Sequence, residues 1–95
     1  MAAKSLRKTI TKDPDATNLD FNIDWRLWLN GDILLSSEWA VTPGIDVNGV
    51  YFTEDGVSTI WVGGGVLGST YELTNKILTV GARQDERTLY IVISE

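Results

Sequence analysis

The chain contains no cysteine and no histidine. Without cysteine there is no disulfide framework and no thiolate nucleophile, which sets aside the small stapled secreted module. Without histidine as well, the usual zinc sites and the Ser-His-Asp and Cys-His nucleophiles drop out, together with the side chain that most often moves protons near neutral pH. Proline occurs only at Pro14 and Pro43, each beside turn-forming residues. No apolar run approaches the roughly 18 to 20 residues of a membrane span, and Met1-Ala2-Ala3-Lys4 leads into no apolar stretch of signal-peptide length. The chain therefore reads as a soluble protein made in a cytoplasm, without a membrane partner.

What is present is aromatic and acidic. Four tryptophans and three tyrosines stand in only 95 residues, as expected of one small domain that must build its core from a few large side chains. The net charge of −5 is unevenly spread. Lys4, Arg7, Lys8 and Lys12 give residues 1–12 a charge of +4, leaving −9 on residues 13–95. An acidic body repels nucleic acid, so the basic segment is suited to an acidic protein surface, including another copy of this chain.

Residues 1–18 show no sustained apolar period and contain Asp13-Pro14-Asp15, so they read as an extended arm preceding a domain over 19–95. Phe21, Ile23, Trp25, Leu27 and Leu29 alternate like a strand, yet Phe21, Trp25, Trp28 and Leu29 also fit helical spacing. The pattern predicts a strand from Leu19 to Trp25, then one helical or 3₁₀ turn through Leu29, ended by Asn30-Gly31. Trp25 then falls in the core and Trp28 over its edge, as a lid on the core or as a contact for a neighbouring chain. Further strands follow over residues 33–41, with Ile33, Leu35, Ser37, Trp39 and Val41 on one side, and 45–52, in short pieces or with a bulge near Asn48-Gly49. Others are expected over 57–62, over 70–80 with Tyr71, Leu73, Asn75, Ile77 and Thr79 on one side, and over 88–93 with Leu89, Ile91 and Ile93 inward. Glu54-Asp55-Gly56 and Gly81 through Glu86 read as turns. About seven strands with turns every 8 to 12 residues predict an all-β, immunoglobulin-like sandwich, and Gly68-Ser69-Thr70-Tyr71 suits a tyrosine corner. Trp25, Trp39, Trp61 and Tyr71 are the expected core aromatics.

Candidate chemistry is thin. Gly63 through Thr70 matches a phosphate-loop spacing except that Ser69 replaces the lysine, and strand-like rather than helical residues follow. Asp13, Asp15, Thr17 and Asp24 fall at calcium-loop positions, but Asn18 stands where the sharp turn wants glycine and no helices flank the stretch. Asp85-Glu86 and Glu54-Asp55 are neighbours in turns, not carboxylates facing across a cleft. No catalytic, cofactor-binding or metal-binding residue is assigned.

Lys12-Asp13-Pro14-Asp15-Ala16, Leu19-Asp20-Phe21, Asp24-Trp25, Trp28-Leu29, Gly31-Asp32, Trp39 with Val41, Trp61-Val62 before Gly63-Gly64, Gly68 with Tyr71 and Thr74-Asn75, and the closing Arg83-Gln84-Asp85-Glu86-Arg87 together resemble the fibre-tail adaptor proteins of tailed bacteriophages, from Lys12 to the C-terminus. The resemblance implies an Ig-like virion structural protein in the tail region that joins fibres to the tail or its connector, without catalysis and without a cofactor. The implied partners are the connector or adaptor, the tail tube or nozzle, the fibre N-terminus and copies of the chain itself. On that reading the interface residues are Lys4, Arg7, Lys8, Lys12, Arg26 and Trp28. The charged turn Arg83 to Arg87 forms a local ion-pair knot, the favoured reading, or a rim contact. A carbohydrate-binding Ig-like module is the alternative from another class and expects Trp28, Tyr51 and Tyr90 on one face. A capsid decoration domain is a third reading.

Overall fold

Strict alternation of buried and exposed residues along Tyr71, Leu73, Asn75, Ile77 and Thr79 builds the central strand of the molecule, and its neighbours follow the same period of two. The structure is a computed structural model that describes residues 8–95, with side chains from Thr9 onward. In chain order the elements are β1 (Lys8–Lys12), β2 (Leu19–Asp24), α1 (Arg26–Leu29), β3 (Leu34–Val41), β4 (Ile45–Phe52), β5 (Val57–Gly64), β6 (Thr70–Thr79) and β7 (Gln84–Ile93). They form a four-stranded sheet in the order β1-β7-β6-β3 and a three-stranded sheet in the order β2-β5-β4. All pairings are antiparallel except that of β1 with β7. The fold is the expected Ig-like sandwich.

Between the sheets, Phe21 and Ile23 of β2 and Ile60 and Val62 of β5 meet Leu73 and Ile77 of β6 and Leu89, Ile91 and Ile93 of β7. Trp25 and Leu29 complete the core at the α1 end. At the other end the Tyr71 hydroxyl accepts a hydrogen bond from the Val66 N–H at 3.1 Å. This tyrosine corner ties the β5–β6 loop to the buried face of β6. The glycine-rich stretch opens no helix. Gly63 and Gly64 finish β5, and Gly65 turns the chain at φ +96°, where a Cβ would meet Ile93 Cδ1 at 2.6 Å.

Four expectations are corrected. Residues 8–12 are extended but not a free arm: they pair in register with Leu89–Ile93 and so belong to the four-stranded sheet of the sandwich. In β3 the register skips between Leu34 and Ser36. That bulge places Leu34 inward with Ser37, Trp39 and Val41, opposite the inward residues of β6, and leaves Ile33 and Leu35 exposed. Trp61 lies on the outer face of the three-stranded sheet, because Ser58, Ile60 and Val62 take the core side and the period of two sends Trp61 the other way. It is half-buried there, in register with Asp20 on one side and with Gly49, which has no side chain, on the other. Trp39 is half-buried and packs against the core without being part of its fully buried set. Along β4 the anticipated bulge is present, between Val47 and Gly49.

Candidate functional site

The Asp24 to Asp32 segment is a short turn of helix held from several directions. Asp24 Oδ1 accepts the Arg26 N–H at 2.9 Å and Arg26 Nε at 2.9 Å, while Oδ2 accepts Arg26 Nη2 at 2.7 Å. These bonds, the side-chain one first, bring the Asp24 carboxyl down from 3.8 to about 2. The Trp25 N–H donates to the Gly56 carbonyl at 2.7 Å, and the Leu29 N–H closes the helical turn onto the Trp25 carbonyl at 2.8 Å. Gly56, at φ +129°, leaves room for this approach; a Cβ there would strike Leu29 Cδ1 at 2.6 Å. Asn30 ends the turn in the left-handed region.

The two tryptophans then diverge in role. Trp25 is completely buried, and its Nε1 donates to Asn75 Oδ1 at 2.9 Å. Asn75 is itself buried and passes the network on, donating to Ser37 Oγ at 2.9 Å and to the Glu38 carbonyl at 3.0 Å. Trp28 meets Trp25 edge-on, with ring centroids 5.4 Å apart and planes at 73°. Both rings carry an arginine. The Arg83 guanidinium sits 4.0 Å from the Trp28 centroid and donates to the carbonyls of Leu29 at 3.1 Å and Trp28 at 2.8 Å. Arg87 sits 4.1 Å from the Trp25 centroid and donates to the Asp24 carbonyl at 3.2 Å. Asp32 anchors the far side: it pairs with Arg83 at 3.5 Å and accepts the Ile33 and Gly81 N–H groups. Its carboxyl lies below its ordinary value, chiefly through the Thr79 hydroxyl and then these backbone donors.

The charged turn is therefore tied to the helical turn more than fifty residues earlier: Arg83 and Arg87 reach across to α1 and its flanks. Nothing in the local spacing announces this, because only the return of β7 alongside β6 brings the two segments together.

Among the described residues of the proposed interface, Lys12 lies apart from Arg26 and Trp28, which share α1. Lys4 and Arg7 lie outside the described residues, and Lys8 opens β1 with no side chain described. Lys12, expected as a partner contact, is 1% exposed, and its Nζ donates to the carbonyls of Gly64 at 2.6 Å and Asp13 at 2.9 Å. It fastens β1 to the end of β5. Arg26 is exposed but held by Asp24. Trp28 is half-buried as a lid beneath Arg83. The side chain that projects from the clamped turn is its neighbour Leu27, 97% exposed. Ile33, Leu35 and Val80 are exposed at the same end, where the Val80 N–H bonds to the Ile33 carbonyl at 2.9 Å. Val66 and Leu67 are exposed at the opposite end, before β6 begins. Ten residues of β6 separate the two groups, a span of about 33 Å at strand rise.

The other candidate groupings stay apart. Among the described residues no cluster of three His, Cys, Asp or Glu could hold a metal, and no helix is long and apolar enough to cross a membrane. Asp13 Oδ1 instead accepts the Asp15 N–H at 2.7 Å within its own turn. Trp28 sits at the α1 end, Tyr51 on the outer side of the three-stranded sheet and Tyr90 on the outer side of the four-stranded sheet. The single aromatic face a sugar-binding module requires is absent from that set.

Comparison with known proteins decides the family. The model of the podophage GP4 fiber-tail adaptor protein gp77 matches residues 12–92. The chain belongs to this family. The fiber-tail adaptor family has a structural role in the phage, consistent with the thin inventory of chemical groups above. The matched region includes both halves of the clamp, Asp24 to Asp32 and Arg83 to Arg87, and both exposed apolar ends. The solution structure of the PKD domain from KIAA 1837 protein is similar to 98% of this adaptor chain and covers 84% of its own, with a TM-score of 0.51 and 19% identity; that likeness concerns the fold alone. No curated protein matches the chain.

Proposed function

We propose that this adaptor is a non-enzymatic virion protein of the tail region, made in the host cytoplasm, that joins a fibre to the tail by gripping one partner at each end of the sandwich. The observation that carries the reading is the pair of apolar ends. Leu27, Ile33, Leu35 and Val80 are exposed at one, Val66 and Leu67 at the other, on a body whose long axis measures 41 Å. An adaptor needs two separate contact surfaces on a rigid spacer, and exposed apolar side chains are the usual anchors of such surfaces. The clamp of Arg83 and Arg87 holds Leu27 on a turn that has little freedom left to lose on binding. The partners on this reading are the connector or nozzle on one side and the fibre N-terminus on the other, with further copies of the chain beside it. The acidic body disfavours nucleic acid as a partner.

The test is a pair of charge insertions, Leu27→Asp and Leu67→Asp, each at an exposed position and each checked for an unchanged unfolding midpoint. Binding to purified tails and to purified fibre protein is then measured separately. The expected result is that each variant loses one partner and keeps the other. Retention of both partners by both variants would contradict the two-ended grip.

A further inference from the structure

Asparagine is a thermolabile residue, and a following glycine exposes it most, because no side chain shields the next peptide nitrogen. The chain has two such pairs, Asn30-Gly31 and Asn48-Gly49, while Asn18, Asn22 and Asn75 precede Leu19, Ile23 and Lys76. The fold holds the two pairs very differently. Asn30 leaves α1 at φ 48° and ψ 50°, and Gly31 continues at φ +92°. Two successive left-handed residues make the type I′ geometry that turns the chain from α1 toward β3. The Asn30 N–H donates to the Arg26 carbonyl at 3.2 Å, and the Asp32 N–H spans the pair to reach the Leu29 carbonyl at 3.0 Å. Among the described residues, neither the Asn30 side-chain amide nor the Gly31 N–H has a hydrogen-bond partner. Asn30 is exposed, and a Cβ on Gly31 would meet nothing within 4 Å.

Asn48 is exposed too, but its amide is occupied. Its Nδ2 donates to the Thr17 carbonyl at 3.1 Å and to Asn18 Oδ1 at 3.1 Å. Its neighbours Val47 and Gly49 are paired with Val62 and Trp61 of β5. Swinging the Asn48 side chain onto the Gly49 nitrogen would break both amide bonds and disturb the ladder. At Asn30 only the turn itself has to open.

The chemistry needs nothing beyond water and base. The Gly31 nitrogen gives up its proton to hydroxide and attacks Asn30 Cγ. A nitrogen–carbon bond forms, the bond from Cγ to the side-chain nitrogen breaks, and ammonia leaves with a proton regained from solvent. Water then opens the cyclic imide at one of its two carbonyls, giving aspartate or, with the main chain routed through the side chain, isoaspartate. No group is oxidised or reduced. We propose that Asn30-Gly31 is a self-modification site, at which the adaptor converts the neutral amide beside α1 into a carboxylate while Asn48-Gly49 is protected. The product adds a negative charge next to Asp32, on the turn that presents Leu27. Its isoaspartyl form lengthens the main chain where the Asn30 N–H closes α1, and so loosens the end of that turn. The site goes beyond the two-ended reading and does not depend on it.

The full-length protein is incubated at mildly alkaline pH beside the free peptide Trp-Leu-Asn-Gly-Asp-Ile, the sequence of residues 28–33. Peptide mass spectrometry follows the amide-to-acid mass gain at each asparagine, and isoaspartyl methyltransferase with a labelled methyl donor counts isoaspartate. The expected result is conversion at Asn30 while Asn48 stays an amide. Asn30→Gly suits the left-handed turn; with its fold confirmed by circular dichroism, it should lack the early acidic form. In urea the two pairs should convert at similar rates, since both then lie in unfolded chain. Asn30 intact when the free peptide has fully converted would overturn the proposal, and so would Asn48 converting as early as Asn30. A preference for Asn30 that survives unfolding would overturn the role given to the fold. None of these readings involves fibre or tail binding, so this inference and the adaptor reading fail in different experiments.

Discussion

Trp25 and Asn75 together decide how the core can contain polar atoms. The indole nitrogen of a fully buried tryptophan needs an acceptor, and Asn75 supplies it while spending its own two donors on Ser37 and the Glu38 carbonyl. Asn75→Ala leaves the indole N–H and that carbonyl without these partners, so the stability loss should be about 2 to 4 kcal/mol, near the sum of two unsatisfied buried groups. Trp25→Ala should cost about 3 to 5 kcal/mol. Trp28→Ala, which removes a lid rather than a core residue, should cost about 2 kcal/mol. Urea unfolding of the three variants gives the order directly; a Trp28→Ala loss equal to that of Trp25→Ala would refute the division of roles. Period-two alternation made Trp25 and Tyr71 legible as core residues from the sequence. Trp61 was misread because alternation says which residues share a face and not which face is inward.

Acid pH probes another residue of the clamp. Asp24 titrates in the folded state at about 2, below its ordinary 3.8. A depressed carboxylate contributes stability that is present above pH 3.8 and is lost as pH falls through 2. Asp32, also lowered, acts in the same direction. Because the Asp24 side chain is 52% exposed, solvent and salt screen the effect and it should be modest. Asp24→Asn should flatten the fall in unfolding midpoint between pH 4 and pH 2, less visibly at high salt. An acid limb unchanged by Asp24→Asn would show that its bonds to Arg26 carry no stability.

At the scale of elements, two attachments govern what moves. β1 is held by its ladder to β7 and by the buried Lys12 ammonium, which donates to the Gly64 and Asp13 carbonyls. Lys12→Met keeps the length of the stem and removes both donors, with an expected cost of about 1.5 to 3 kcal/mol. Amide exchange should accelerate in residues 8–12 and 89–93 well before β6. The second attachment is the pair of arginines on α1. Arg83→Lys keeps the charge but loses the planar fork that stacks on Trp28 while bonding two carbonyls, so α1 amides should exchange faster with β6 unchanged. Protection of α1 identical to wild type would mean the stacking is incidental. The strands β2 to β6, the second half of β7, the one-turn helix after β2 and the bulge in β4 could all be read from alternation and turn residues, whereas β1 and the first half of β7 read as an arm and a turn. The bulge in β3 could not, since Leu34 and Leu35 are chemically alike and only pairing with β6 selects the one that enters the core. The burial of Lys12 and the reach of Arg83 and Arg87 depend on contacts 52 to 63 residues apart, which no local pattern encodes.

The whole molecule is an elongated sandwich, 41 Å along its long axis, with exposed apolar side chains at both ends. The fold came from strand count and turn spacing, and the family resemblance from motifs that include the two halves of one clamp, Asp24 to Asp32 and Arg83 to Arg87. Which polar and aromatic side chains are buried was the least legible part. Arginine, lysine and tryptophan are frequent interface residues, but Lys12 is buried and Trp28 is half-buried beneath Arg83, while Leu27, one position away from Trp28, faces solvent. The central claim is that this adaptor stands between fibre and tail in the assembled particle. Antibody–gold labelling of purified particles, viewed by electron microscopy, tests it most directly. Label concentrated at the root of the fibres is the predicted result; label distributed over the head, with none at the fibre roots, would contradict it.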